Sequence, residues 1–249
     1  MIMLTQEQID QFKRYGYVMV PGLYTPEEIR QITAWTEEVA SWPEIPGKYM
    51  MYFETSRNNP DERILCRMED IEPFHEGFSK LFTGEKMQGA VSDLFGEQAI
   101  LFKDKINFKM PGGDGFKAHQ DVQAGWDRYA SLHITAMVSI DASTVENGCL
   151  EIVPGQHNKG LIGESWKPLD EDALDYIKLP TRPGDAVLFD SFAPHRSEPN
   201  NTNRARRVLY VTYNRLSEGD HRRQYYDDKR LSYPPDCERE PDKEYVFRV

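Results

Sequence analysis

The chain changes character at Gly96. Before it, apolar residues recur at helical spacing; after it come short β-rich segments separated by Gly, Pro, Asn and Asp: AILFKDKINFKM, LHITAMVSID, GCLEIVPG, DAVLFDS and RRVLYVTYN. Helices followed by a run of strands restrict the fold to a helical layer packed on a sandwich or barrel. A length of 249 residues suits one such core, and there is no internal repeat or low-complexity linker. One domain over 1–249 is therefore expected. It would have a helical and lid region at 1–96, a strand core at 97–216 and a charged, Tyr- and Pro-rich tail at 217–249. The tail either docks back over the core or stays mobile.

Within the first region, Thr5 opens a helix that runs to about Tyr15 and stops at Gly16. Thr25-Pro26-Glu27-Glu28 is a strong helix start: a Thr cap, Pro at the first position and a carboxylate placed for a capping box. Ile29, Ile32, Trp35 and Val39 continue it at helical spacing. From Pro43 to Pro73 the pattern breaks up into aromatics, charges and turn formers, which reads as a long loop walling a site. Helical spacing returns from Phe74 to Phe95.

Several partner classes drop out on composition. Lys plus Arg number 30 and Asp plus Glu 41, a net charge of −11, which disfavours nucleic acid and anionic lipid as partners. A small anionic substrate stays open, because a pocket can be basic on an acidic protein. No stretch approaches the run of about eighteen apolar residues that spans a bilayer, and the opening residues lack the apolar segment of a secretion signal. Cys66, Cys149 and Cys237 are odd in number and far apart, which suits reduced thiols in a cytoplasm.

Two of the six histidines stand in suggestive settings. His119 and Asp121 are two apart, so on extended backbone they point the same way, and His195 follows the strand DAVLFDS. Two imidazoles and one carboxylate on one face of a metal form a facial triad that suits Fe(II) and leaves positions open. A bare His-x-Asp also arises as a turn histidine beside a capping Asp. The downstream spacing adds weight: Ser197 lies two residues past His195, and Arg206 eleven past it. A guanidinium and a hydroxyl converging on one spot can grip a carboxylate. His133, on a core strand, reads as a packed histidine.

Taken in order, RYGYVMVPGL, KMPGG before AHQD, ENGCLEIVPGQH and RPGDAVLFDSFAPHRSEPNNTNRARR resemble the phytanoyl-CoA dioxygenase family of Fe(II)/2-oxoglutarate oxygenases over most of residues 5–215. The resemblance implies a mainly β fold with flanking helices around a double-stranded β-helix, the jelly roll of cupin-like proteins. It implies that His119, Asp121 and His195 hold iron and serve catalysis. It implies that Arg206 and Ser197 bind the distal carboxylate of 2-oxoglutarate, while Lys105 and Asn107, from the strand before the metal loop, add contacts. With O₂, such an enzyme releases succinate and CO₂ as it hydroxylates its substrate. Where the family usually has Gly after the distal His, this chain has Arg196.

A narrower resemblance touches the aminophosphonate-oxidising branch, in WPEIPGKYMMYFE, RILCRMEDIEPFHEGF and YYDDKRLSYPPDCEREPDKEY. It implies hydroxylation next to phosphorus in 2-aminoethylphosphonate or its N-trimethyl analogue. A phosphonate wants Arg or Lys, for which Arg67 is the choice, and an ammonium wants aromatic faces, for which Tyr49 and Trp126 are the choices. Arg63 and Arg67 could instead pair with Glu62 or Glu69, and Tyr49 could be lid packing. Competing classes are another hydroxylase of this family, a barrel that binds without catalysis, and a metal isomerase or hydrolase with no co-substrate.

Overall fold

The computed structural model describes residues 3–245, which form two antiparallel sheets and five α-helices. The helices are α1 (Gln6–Tyr15), α2 (Pro26–Ala40), α3 (Glu76–Phe82), α4 (Ala90–Phe95) and α5 (Arg222–Ser232). The first strands are β1 (Tyr17–Val20), β2 (Met50–Thr55), β3 (Arg63–Glu69), β4 (Ala99–Lys109), β5 (Phe116–His119) and β6 (Ile134–Ser139). The rest are β7 (Leu150–Ile152), β8 (Ile177–Leu179), β9 (Ala186–Asp190), β10 (His195–Ser197) and β11 (Arg206–Arg215). The larger sheet runs β1-β9-β6-β11-β4-β3-β2 and the smaller β5-β10-β7-β8.

Both faces of the larger sheet are buried, so its central strands read as almost continuous apolar runs. Alternation along each strand divides the work. Val187, Phe189, Val208 and Tyr210 pack towards Leu150, Ile152 and Leu179 of the smaller sheet. Leu188, Leu209, Val211 and Ile106 pack among Phe12, Ile32, Phe78 and Phe82 of the helical layer. The sandwich expected from the strand pattern is therefore present, with the helices on the outer face of the larger sheet.

Local chemistry sets the helix ends where the sequence placed them. The Thr5 and Thr25 hydroxyls accept from the backbone N–H of Gln8 and Glu28, whose side chains reach back to the cap N–H in two capping boxes. Gly16 ends α1 at φ 79°, where a Cβ would also meet the His157 ring at 2.6 Å. The single helix expected from Phe74 to Phe95 is instead α3, a π turn over Glu85–Gly89, and α4. Gly84 makes the break: a Cβ there would lie 2.7 Å from the Lys80 carbonyl.

One expectation changes and one open alternative is decided. Residues 43–73 are not one loop: β2 and β3 form a hairpin that extends the larger sheet beside β4. Charges obscure β3 in the sequence because Arg67 and Glu69 are buried as an ion pair, with Arg67 Nε 3.0 Å from Glu69 Oε1. The tail docks. The Tyr226 hydroxyl of α5 donates to the Asp104 carbonyl at 2.9 Å, and Arg222 reaches Asp104 and Asp70 at 2.5 and 3.0 Å. Positions 246–249 of the expected tail lie outside the described residues.

Candidate metal centre and its cavity

Strand register brings the two sequence-distant histidines together. β5 and β10 are antiparallel neighbours, and His119 and His195 are direct cross-strand partners with ring centroids 4.3 Å apart. On the other side of β10, β7 holds His195 opposite Ile152, so NGCLEIVPG is the rail that positions this histidine. Asp121 follows β5 at the start of a 3₁₀ turn. Its Oδ1 lies 3.9 Å from His119 Nε2 and 4.0 Å from His195 Nε2. The three ligand atoms all fall within 4.8 Å of one another.

The surroundings prepare these groups to bind a cation. His119 Nδ1–H donates to the Lys117 carbonyl at 2.7 Å, and His195 Nδ1–H to the Ala193 carbonyl at 3.0 Å. Each ring is thereby fixed with its Nε2 lone pair facing Asp121. Thr135 donates to Asp121 Oδ2 at 3.3 Å, which leaves Oδ1 for the shared point. Burial and the facing His195 push His119 down to about 3, and burial lowers His195 as well. Burial raises the Asp121 carboxyl, but His195 and His119 outweigh it, so the acid sits below its ordinary range. Two neutral imidazoles and a carboxylate fit a divalent metal of the iron type.

The cluster opens into a cavity of about 420 Å³ between the sheets. Lys103, Lys105 and Asn107, alternate residues of β4, supply one wall, with Lys105 opposite Tyr210 of β11 and, further along the same two strands, Lys109 opposite Arg206 behind Ser197. Lys105 and Asn107 line the cavity, the Lys105 ammonium lying 4.7 Å from the centre of the Tyr210 ring. Burial and the neighbouring Lys103 bring Lys105 down to about 7. Arg206 is fully buried at the end of the inward row of β11. Its Nη1 donates to Ser143 Oγ at 3.2 Å, whereas Nε and Nη2 have no hydrogen-bond partner among the described residues. Ser197 Oγ accepts from Lys109 Nζ at 2.8 Å. Burial and the facing Arg206 push Lys109 down to about 6.

Lys109 is thus a site residue that the sequence reading passed over in favour of its neighbours. The signal was available: Lys103, Lys105, Asn107 and Lys109 fall at every second position of one strand.

The far end of the cavity is lined by Arg67 and Trp126. Arg67 is buried, stacked 4.3 Å over the Tyr52 ring and paired with Glu69. Trp126 packs against Phe102 and His133, which confirms His133 as a packed histidine. Tyr49 is a correction. It lies outside the cavity, its hydroxyl donating to the Pro43 carbonyl at 2.6 Å and its ring packing on Trp42 and Phe74. Arg63, also considered for the pocket, pairs with Glu44 and Asp236 near the surface. Tyr225 and Lys229 of α5 complete the cavity; their helix sits in a tail whose position the sequence did not announce.

Comparison with solved structures shows the same fold. An α-ketoglutarate-dependent epimerase of nogalamycin biosynthesis, solved with Fe3+ and α-ketoglutarate, superposes with a TM-score of 0.73 at 19% identity, covering 98% of this chain and 95% of that one. EctD from S. alaskensis, solved with 2-oxoglutarate and 5-hydroxyectoine, gives 0.71 at 19% identity over 86% of this chain and 77% of that one. Two facing antiparallel sheets with a two-histidine, one-carboxylate cluster between them define the class: a jelly roll with a candidate facial metal site.

The sequence profile of phytanoyl-CoA dioxygenases matches residues 12–208, and the chain belongs to that family. It is 47% identical to a 2-aminoethylphosphonate dioxygenase of an uncultured bacterium, over 97% of this chain and 93% of the relative. It is 42% identical to a methylphosphonate hydroxylase of Gimesia maris, over 92% and 88% respectively. Among the described residues no helix is long and apolar enough to cross a membrane.

Proposed function

We propose that the protein is an iron(II)- and 2-oxoglutarate-dependent dioxygenase that hydroxylates a small phosphonate at the carbon bound to phosphorus, with 2-aminoethylphosphonate or its N-trimethyl analogue as the best candidates. His119, Asp121 and His195 would hold the iron, which with 2-oxoglutarate and O₂ supplies the oxidising power and yields succinate and CO₂. Arg206, Ser197 and Lys109 seat the distal carboxylate of 2-oxoglutarate. Lys105 and Asn107 stand along the wall between that seat and the metal cluster. The protein's own part is to hold both reactants in one cavity and to fix which C–H bond faces the metal.

One observation carries this reading. Lys109 and Arg206 face each other on paired strands; burial and the guanidinium push Lys109 down to about 6, and Arg206 Nε and Nη2 have no hydrogen-bond partner among the described residues, a basic pair that a bound anion would relieve. Together with a metal-competent cluster in the same interior, that pair calls for an anionic co-substrate. The names of the two relatives direct the choice of substrate towards phosphonates. The three cysteines are free thiols, which suits a cytoplasmic enzyme acting on a small metabolite rather than on nucleic acid or a membrane.

A substrate panel scored by succinate release tests the proposal. It sets 2-aminoethylphosphonate, its N-trimethyl analogue, methylphosphonate, a betaine and a short acyl-CoA side by side. Phosphonates should drive release well above the substrate-free rate, in step with O₂ uptake. Stimulation by the acyl-CoA or betaine alone would overturn the phosphonate assignment. Absence of any 2-oxoglutarate turnover would overturn the oxygenase.

A further inference from the structure

The cavity's charge does not balance. At its far end Glu69 is fully buried and is met by three cations: Arg67 Nε at 3.0 Å, Lys103 Nζ at 3.5 Å and Lys229 Nζ at 2.5 Å. Lys105 lines the same cavity. The other buried acid there, Asp121, is committed to the metal cluster. Three basic groups gathered on one carboxylate would, all ionised, exceed it by two charges, and burial already holds the Lys229 ammonium well below its ordinary range, which is the cost of that excess with no further anion beside it. Cations nearer the mouth do not add to this excess, since each has its own acid: Arg128 with Asp228, Arg196 with Glu151, Lys243 with Glu240. The excess belongs to the interior.

The cluster is also assembled from three separate elements. Arg67 and Glu69 come from β3, Lys103 from β4 and Lys229 from α5. Trp126 and Tyr225 each stand 5.4 Å from the Lys103 ammonium, so two aromatic rings fix its position. Tyr52 is stacked on Tyr233 just beyond α5, and its hydroxyl donates to the Tyr233 carbonyl at 2.9 Å, which pins the end of the helix.

We infer that Lys229, delivered by the docked C-terminal helix, and Lys103 are the specificity-determining anchors of the substrate's dianionic phosphonate group, with Glu69 holding both ammonium groups in place. The inference rests on the phosphonate reading above and adds to it the residues and the tail. A phosphonate dianion supplies the two negative charges that the cluster lacks. A carboxylate or sulfonate of similar size supplies only one, so the same cluster discriminates between them. Without α5 the site is incomplete, because one of its two lysines goes with the helix.

The test measures binding rather than turnover. Iron- and 2-oxoglutarate-loaded protein, kept anaerobic, is titrated calorimetrically with methylphosphonate and with 2-aminoethylphosphonate. Lys229→Met should weaken both at least tenfold while the dissociation constant of 2-oxoglutarate stays within twofold, and Lys229→Arg should recover most of the loss. Lys103→Met, on the sheet rather than the helix, should behave like Lys229→Met and serves if that variant does not fold. In the unmodified protein, methylphosphonate should slow hydrogen exchange along residues 222–232. Equal affinity of the parent and both methionine variants, or no added protection of that helix, overturns the inference while the oxygenase stands. If the parent binds 2-oxoglutarate but neither phosphonate, the substrate reading fails first and the inference falls with it.

Discussion

Replacing Arg206 with methionine should separate co-substrate binding from folding. This guanidinium is fully buried, with Nη1 donating to Ser143 and with Nε and Nη2 lacking a hydrogen-bond partner among the described residues. A buried cation so placed costs stability, and a long apolar side chain of similar shape removes that cost. Arg206→Met should therefore unfold at or above the parent's midpoint when no ligand is present. Binding of 2-oxoglutarate should behave oppositely. Two charge-assisted hydrogen bonds at roughly 1.5–3 kcal/mol each would contribute about 3–6 kcal/mol. Lys109 and Ser197 remain to hold part of the carboxylate, so the lower end is expected, roughly a hundredfold weaker binding.

A thermal shift reads both effects. At a 2-oxoglutarate concentration about a hundred times the parent's Kd, the ligand stabilises the parent by about 2.7 kcal/mol. In a chain of this size that is a rise of about 5–10 °C. The variant, then near its own Kd, should gain only about 1–2 °C. An anaerobic calorimetric titration provides the Kd directly. A variant that binds 2-oxoglutarate within threefold of the parent, or that unfolds several degrees earlier without ligand, would refute the reasoning from the unpaired guanidinium.

Other outcomes follow from the same geometry. His195→Ala should lose stoichiometric iron and all succinate release while its ligand-free melting midpoint moves only a few degrees, since the side chain sits at a strand start; metal analysis and a thermal melt check this. Lys109 titrates near 6 in the ligand-free fold against an ordinary value of 10.5. Between those values the unfolded chain binds the extra proton, so ligand-free stability should rise as pH climbs from about 6 to 10, and Lys109→Met should flatten that slope in denaturant titrations. For the same reason 2-oxoglutarate binding at pH 8 should take up close to one proton, seen as a dependence of calorimetric heat on buffer ionisation enthalpy; no uptake would place the carboxylate away from Lys109. Tyr49→Phe should lower stability by about 1 kcal/mol through its lost bond to Pro43, with kcat and KM unchanged, because this tyrosine lies outside the cavity.

An acidic surface and a basic interior coexist here without conflict. The net charge of −11 is a property of the exterior, while the cavity gathers Arg67, Lys103, Lys105 and Lys229. Overall charge therefore argues against polyanionic partners while saying nothing about a small anion.

What the residues alone determined was local or tied to fixed spacing. The capping boxes at Thr5 and Thr25, the stop at Gly16 and the strand runs after Gly96 depend on neighbours within a few positions. Sequence order and spacing also singled out His119, Asp121, His195, Ser197 and Arg206, because the resemblance rests on an ordered set of motifs. What only the tertiary structure decided was pairing. Antiparallel register set His119 against His195 and Lys109 against Arg206, and a one-residue slip would turn either pair away from the interior. Burial of Arg67 against Glu69 turned an unpromising charged stretch into a strand, while packing on Trp42 and Phe74 kept Tyr49 out of the cavity. The docking of α5 brought Lys229 160 residues back to Glu69. Contacts at such separations depend on how sheets and helices pack as a whole, and no local pattern in the chain records them.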